Sequence, residues 1–208
     1  LAVKNHTENN IEVARDLYRQ VLEVNPNHVD AHYNLGVIFG GLGENQKAKD
    51  CYEKAITINP NYVNAHQNLG FLFQSLGDVQ KAISCYEKAI AINPSFASVH
   101  HNLGVIFKDL GDNQKAKKCY EKVIEIKPSH ADAHNNLGII YNELGINQKA
   151  ISHYEKAIEI NPNNVDVLNN LGHVFYQIGE AQKAISYYEK VIKIDPNHFG
   201  GINGLSAS

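Results

Sequence analysis

A chain of 208 residues with 43% hydrophobic content and a net charge of -3 has enough apolar material to order and too little charge imbalance to stay disordered. No apolar run approaches a membrane span and no signal-peptide pattern opens the chain, so membrane insertion is not expected. Only two arginines, Arg15 and Arg19, stand among 19 basic residues, and no basic stripe with interleaved aromatics appears, which argues against nucleic acid as a partner. The absence of methionine and the opening Leu1 read as a fragment of a longer chain or one trimmed at its start.

The six prolines form one series, Pro26, Pro60, Pro94, Pro128, Pro162 and Pro196, at constant steps of 34 residues. This divides a single array into a partial repeat at 1–28, five full repeats at 29–62, 63–96, 97–130, 131–164 and 165–198, and a degenerate start or tail at 199–208.

The leading partial repeat supplies a helix whose Leu17, Val21 and Leu22 lack part of their cover. In each full repeat a first helix starts after the proline, where Asn27, Ser129 and Asn163 are the expected caps and Asp30, Asp132 and Asp166 suit the electropositive first turn. It ends at Gly43, Gly77, Gly111, Gly145 or Gly179, the residue that most readily takes the left-handed conformation. A second helix carries "QKA" and "YEKAI" or "YEKVI", with Ala48, Tyr52, Ala55 and Ile56 at i, i+4, i+7 and i+8. Eleven complete helices are expected between residues 11 and 198, with no strand. In the last segment Gly200, Gly201 and Gly204 predict a poor helix that covers Tyr188, Val191 and Ile192 badly, although Phe199, Ile202 and Leu205 could dock.

Small residues recur where two helices must come close: Gly36, Gly70, Gly104, Gly138 and Gly172 on first helices, and Ala48 with its four copies on second helices. A helical glycine costs about 1 kcal/mol against alanine, so five copies need a packing reason. Phe39, Phe73, Phe107, Tyr141 and Phe175, with Tyr52, Tyr86, Tyr120, Tyr154 and Tyr188, are expected to fill the space between helix pairs.

These residues, Leu-Gly, aromatic, Ala, Tyr, Ala and Pro at fixed places in a 34-residue period, resemble the tetratricopeptide repeat (TPR) family over nearly the whole chain. The resemblance implies an all-α fold: an α-solenoid of tandem helix-turn-helix repeats wound as a right-handed superhelix, first helices lining a concave groove. It also implies binding of proteins or peptides and no chemistry. In one column many members carry Trp; here stand His32, His66, His100, His134 and Leu168, expected to pack on the preceding repeat.

His28/His32 and His130/His134 have the i, i+4 spacing of a zinc site, but no cysteine stands beside them, and four ligands must converge. No metal and no cofactor are expected. Cys51, Cys85 and Cys119 share one column, continued by His153 and Tyr187. Successive members should lie ~10 Å apart, beyond disulfide reach of ~7 Å, so they read as free, half-buried thiols in a reducing, cytoplasmic compartment. No catalytic motif appears, and Glu53, Glu87, Glu121, Glu155 and Glu189 read as a solvated outer face, so an enzyme is not expected.

The candidate binding residues are the asparagines before each core leucine: Asn34, Asn68, Asn102, Asn136 and Asn170. They flank the buried stripe on the groove side, and an amide offers both donor and acceptor to an extended peptide. At ~10 Å per rung and ~3.3 Å per extended residue, five rungs would span roughly a dozen residues. The asparagine column and the "AH-x-NL" phrasing are similar to the repeat arm of O-GlcNAc transferases; an inherited helix contact is the competing reading. Three residues on come Val37, Phe71, Val105 and Ile139, then His173, read as a partly exposed apolar stripe. The basic clamp that holds acidic chaperone tails in this family has no counterpart among Asp30, Asn64, Ser98, Asp132 and Asp166, or among Tyr33, Gln67, His101, Asn135 and Asn169. The expected function is a scaffold holding an extended protein or peptide segment. The alternatives are the recognition arm of a larger glycosyltransferase or sulfotransferase, and a scaffold that associates head to tail through exposed ends.

Overall fold

The computed structural model describes residues 2–7 and 10–207; Leu1 and Ser208, which enter the reading of the two ends, lie outside them. Thirteen α-helices follow one another: α1 (Ala2–Thr7), α2 (Ile11–Val24), α3 (Val29–Gly41), α4 (Asn45–Ile58), α5 (Val63–Ser75), α6 (Val79–Ile92), α7 (Ala97–Asp109), α8 (Asn113–Ile126), α9 (Ala131–Glu143), α10 (Asn147–Ile160), α11 (Val165–Gln177), α12 (Ala181–Ile194) and α13 (Phe199–Ala207). No strand occurs among the described residues, and α2 to α12 are the eleven helices expected. The protein is an all-α solenoid of consecutive helix pairs. It divides into two compact units, Leu1–Asn102 and Leu103–Ser208. In the first, α3 packs on α4, α4 on α5 and α5 on α6; in the second, α9 packs on α10, α10 on α11 and α11 on α12.

The turn inside each pair is built by its glycine. Gly43 has φ +74°, its N–H reaches Gly40 O at 3.1 Å, and the N–H of Glu44 reaches Phe39 O at 2.8 Å. Those two bonds satisfy carbonyls that the helix end leaves open. Between pairs, the residue before proline often closes the turn. Asn25, Asn59, Asn93 and Asp195 each accept, through Oδ1, the N–H two residues on at 3.0–3.2 Å.

The expected caps are displaced by one residue. His28 Nδ1 accepts from Ala31 N–H at 3.2 Å and His130 Nδ1 from Ala133 N–H at 3.3 Å, while Asn164 Oδ1 accepts from Val167 N–H at 3.2 Å. Asn27 cannot serve because the helix begins at Val29 and its own N–H is held by Asn25.

The recurring glycines have a packing reason, and it lies within each pair rather than between pairs. A Cβ on Gly36 would meet the Tyr52 ring at 2.6 Å; the distances are 2.8 Å at Gly70–Tyr86, 2.7 Å at Gly104–Tyr120, 2.5 Å at Gly138–Tyr154 and 2.8 Å at Gly172–Tyr188. Each tyrosine of the second helix therefore lies against the backbone of the first, and all five are buried.

The glycine-rich C-terminal segment corrects the expectation of a poor cover. It forms α13, which packs on α12, and Tyr188 and Val191 stay buried. Its glycines are the reason it fits: a Cβ on Gly201 would stand 2.6 Å from Val191 Cγ1, and one on Gly204 2.4 Å from Tyr188 Cζ. Close approach outweighs helix propensity here. At the other end, Leu17 and Val21 line a hollow of about 750 Å³ with Val3, Val24 and Ala31.

Candidate peptide-binding groove

The asparagines project from the first helix of each pair, one residue before the buried leucine, and all five are half-buried. Their amides are already partly engaged. Asn34 Nδ2 donates to Asp30 O at 2.8 Å, one turn back on α3. Asn68 Nδ2 donates to the Tyr33 hydroxyl at 3.2 Å, and Asn102 Nδ2 to the Tyr86 hydroxyl at 3.3 Å, so both reach the preceding pair. In the second unit Asn170 Nδ2 donates to Asn135 Oδ1 at 3.4 Å. Four of the five asparagines thus do structural work through their donors.

Tyrosines organise this face in the first unit. Tyr33 packs between Tyr62 and Tyr52, with ring centres 5.2 and 6.1 Å away. The Tyr62 hydroxyl donates to Asp30 Oδ1 at 2.6 Å. Burial pushes the Tyr52 phenol up to about 12, a shift that its hydrogen bond with Asn68 partly offsets. Gln67 Nε2 donates to Ser98 Oγ at 3.0 Å, linking α5 to α7. Sequence reasoning missed this tyrosine set, because Tyr33 and Tyr62 break their columns and carry no repeat signal.

The apolar column is partly open. Val37, Val105 and Ile139 are half-buried, while Phe71 is 62% exposed. Val37, Asn68 and Phe71 meet around one cavity of about 290 Å³, lined also by Tyr52, Gly40 and Gly41. In the second unit Asn170 and His173 meet at a hollow of about 370 Å³ beside Tyr176, Tyr188 and α13. Asn34 borders the 750 Å³ hollow at α1–α3.

The histidine column anchors the turn between pairs. His32, His66, His100 and His134 place Nε2 2.8–3.0 Å from the carbonyls of Pro26, Pro60, Pro94 and Pro128. A carbonyl only accepts, so each Nε2 carries the proton. With His28 and His130 acting as caps, neither i, i+4 pair turns its nitrogens to a common point. Among the described residues no group of three His, Cys, Asp or Glu could hold a metal.

In the cysteine column burial pushes the Cys51 and Cys119 thiols up to about 11. Where the column turns to histidine, His153 Nδ1 lies 3.2 Å from His134 Nδ1 and its ring stacks on Tyr141 at 5.4 Å. With the His134 proton on Nε2, its Nδ1 accepts and His153 Nδ1 donates. Burial, then the neighbouring His134 and Lys149, lower His153 to about 4.

A second periodic feature escaped the sequence reading: the Lys of "QKA" sits over the aromatic of the same pair. Lys47–Phe39, Lys81–Phe73, Lys115–Phe107, Lys149–Tyr141 and Lys183–Phe175 have Nζ 5.1–5.4 Å from the ring centre. The constant 34-residue period of both residues was the signal that could have found it.

A family model described as TPR repeat matches residues 6–43, 73–111, 106–145 and 138–179, and models described as tetratricopeptide repeat match 29–62, 165–198 and 51–84. No curated protein matches significantly. Similar solved structures include YrrB, a TPR protein with an unusual peptide-binding site, at TM-score 0.79 and 19% identity over 91% of this chain and 97% of that one. MamA has TM-score 0.70 and 28% identity over 77% and 94%. The C-terminal part of a TPR repeat-containing protein from Cytophaga hutchinsonii has TM-score 0.78 and 20% identity over 93% and 77%. With more than half of its residues matched by one family model, the chain belongs to the tetratricopeptide repeat family.

Proposed function

We propose that the chain is a scaffold that holds an extended protein or peptide segment against the first-helix face, without catalysis. The contacts are Asn34, Asn68, Asn102, Val37 and Phe71 in the first unit and Asn136, Asn170, Val105 and Ile139 in the second. One observation carries the reading: an exposed aromatic, Phe71, stands beside half-buried amides and half-buried apolar groups on the same face. The recurring acids Glu53, Glu87, Glu121, Glu155 and Glu189 lie exposed on second helices, as a solvated surface does. The peptide-binding site of YrrB, a protein of the same fold, supports the analogy.

The test is selection of twelve-residue peptides from a random library on the folded protein. Asn68→Ala with Asn102→Ala should weaken the selected peptides by roughly tenfold or more, since a net hydrogen bond is worth about 0.5–1.5 kcal/mol. Asn136→Ala with Asn170→Ala tests the second unit in the same way. Unchanged affinity in folded variants would leave the asparagines purely structural.

Apolar surface at α13, where Phe199 is 79% and Ile202 45% exposed, favours self-association as a second reading. Sedimentation velocity across a concentration series tests it, with Phe199→Ser expected to lower the association. A strict monomer at high concentration counts against it.

A further inference from the structure

Gly40 and Gly41, at the end of α3, do not match their columns. One repeat on, the same places hold Gln74 and Ser75; later come Lys108 and Asp109, Asn142 and Glu143, Tyr176 and Gln177. The turn does not need them, because the left-handed residue is Gly43. Packing does not need them either. A Cβ on Gly40 would meet the Tyr52 hydroxyl at 3.6 Å and Ala48 Cβ at 3.9 Å, ordinary contacts, and one on Gly41 would meet nothing within 4 Å. Glycine weakens a helix interior, so this pair is unfavourable for the fold alone.

What the pair leaves is room. In the next repeat the Tyr86 hydroxyl donates to Gln74 Oε1 at 3.0 Å. Gly40 offers Tyr52 no such partner, and Tyr52 instead lines the 290 Å³ cavity with Val37, Asn68, Phe71 and Ser75. An apolar cavity of about 150 Å³ holds a benzene, so this one has room for a single ring and its linking atoms. No Lys, Arg, Asp, Glu or His lines it. Val37 and Phe71 supply apolar walls, and the Phe71 ring is exposed enough to meet an arriving side chain.

We propose that this cavity is a specificity subsite that takes one large uncharged side chain, aromatic or branched aliphatic, from a bound segment. The assignment rests on the groove reading above. Tyr52 and Asn68 then offer polar contacts at the base of that side chain.

The test uses Gly40→Gln with Gly41→Ser, which installs the residues found one repeat on. The full chain is titrated with N-acetyl-phenylalaninamide and N-acetyl-leucinamide, with the aspartate and lysine amides as charged controls, and followed by 15N–1H NMR. The apolar amides should give saturable shifts at residues 40, 41, 71 and 75 in the parent, and none in the variant. The variant should melt higher than the parent, so that lost binding cannot be lost folding. Peptides selected on the parent should carry a large apolar residue at one fixed place and bind the variant at least tenfold more weakly. Absent shifts, shifts that persist in the variant, or equal shifts with the charged amides overturn the subsite. If selected peptides lose affinity with Asn68→Ala but keep it in the glycine variant, the subsite is overturned and the groove reading stands. If no peptide is selected but the apolar amides still shift these residues, the cavity stands as an apolar site and the groove reading falls alone.

Discussion

The cavity among α3, α4 and α5 and the hollow among α11, α12 and α13 occupy equivalent columns four repeats apart. Tyr52 stands in one and Tyr188 in the other, each against the glycine of its own first helix. Around that shared tyrosine the residues diverge: Val37 becomes His173, Gly40 becomes Tyr176, Asn68 becomes Gly204 and Phe71 becomes Ala207. The first cavity joins the apolar walls of Val37, Phe71 and Leu72 to uncharged polar groups of Asn45, Tyr52, Asn68 and Ser75. The second presents His173, bonded to Gln177 at 3.0 Å, and a 45% exposed Tyr176. A repeat backbone thus keeps its packing residues constant and changes its local chemistry through a few columns that the fold leaves free.

The strongest way to break the equivalence is to attack what both sites share. Gly36→Ala and Gly172→Ala each drive a methyl to within 2.8 Å of a buried tyrosine ring. Each should destabilise by about 1–3 kcal/mol, read as a fall in melting temperature. Gly41→Ala, with open space around it, should instead stabilise by about 0.5–1 kcal/mol. A fall in only one of the first two variants would show that the tyrosine–glycine contact is not equivalent in the two units.

The next effect separates the units by pH. His153 titrates at about 4 in the folded protein and near 6.5 when unfolded. Below pH ~6.5 the unfolded chain gains a proton that the folded chain refuses. The stability tied to keeping His153 neutral is therefore complete above pH ~6.5 and is lost as pH falls towards about 4. His153→Cys, copying Cys51 and Cys85 of the first unit, should flatten that part of the stability curve. Chemical denaturation between pH 4 and 7 measures it, and identical curves for parent and variant would remove His153 as the cause.

Smallest is the lysine over each aromatic. Lys47→Gln in the first unit and Lys183→Gln in the second should each cost about 0.5–1 kcal/mol at these exposed sites, with the loss shrinking in high salt. Lys149→Gln should cost less, because Lys117 also lies over Tyr141, at 5.9 Å.

Much of the fold was legible because it is local. Helix ends follow from Gly43 and Pro26 and their copies, and the buried faces from apolar spacing at Ala48 and Tyr52. The candidate site was legible only in part. Asn68 and Phe71 were found by column, but Gly40 and Gly41 were passed over, since a glycine near a helix end reads as a stop signal until the space around it is seen. The glycines of α13 were misread for the opposite reason: propensity counted against them, while contact with Val191 and Tyr188 required them.

The sequence by itself determined the all-α class, the number and phase of the helices, and the columns that face inward. Period and propensity act along the chain, so a one-dimensional pattern carries them. Only the tertiary structure decided that the packing glycines each face a tyrosine of the same pair, and that Gly40 and Gly41 leave a cavity. It also decided that the amides of Asn68, Asn102 and Asn170 bond the preceding pair, and that His153 meets His134. Those outcomes depend on distances between residues 16 to 35 places apart, set by how side chains on neighbouring helices fill the same volume.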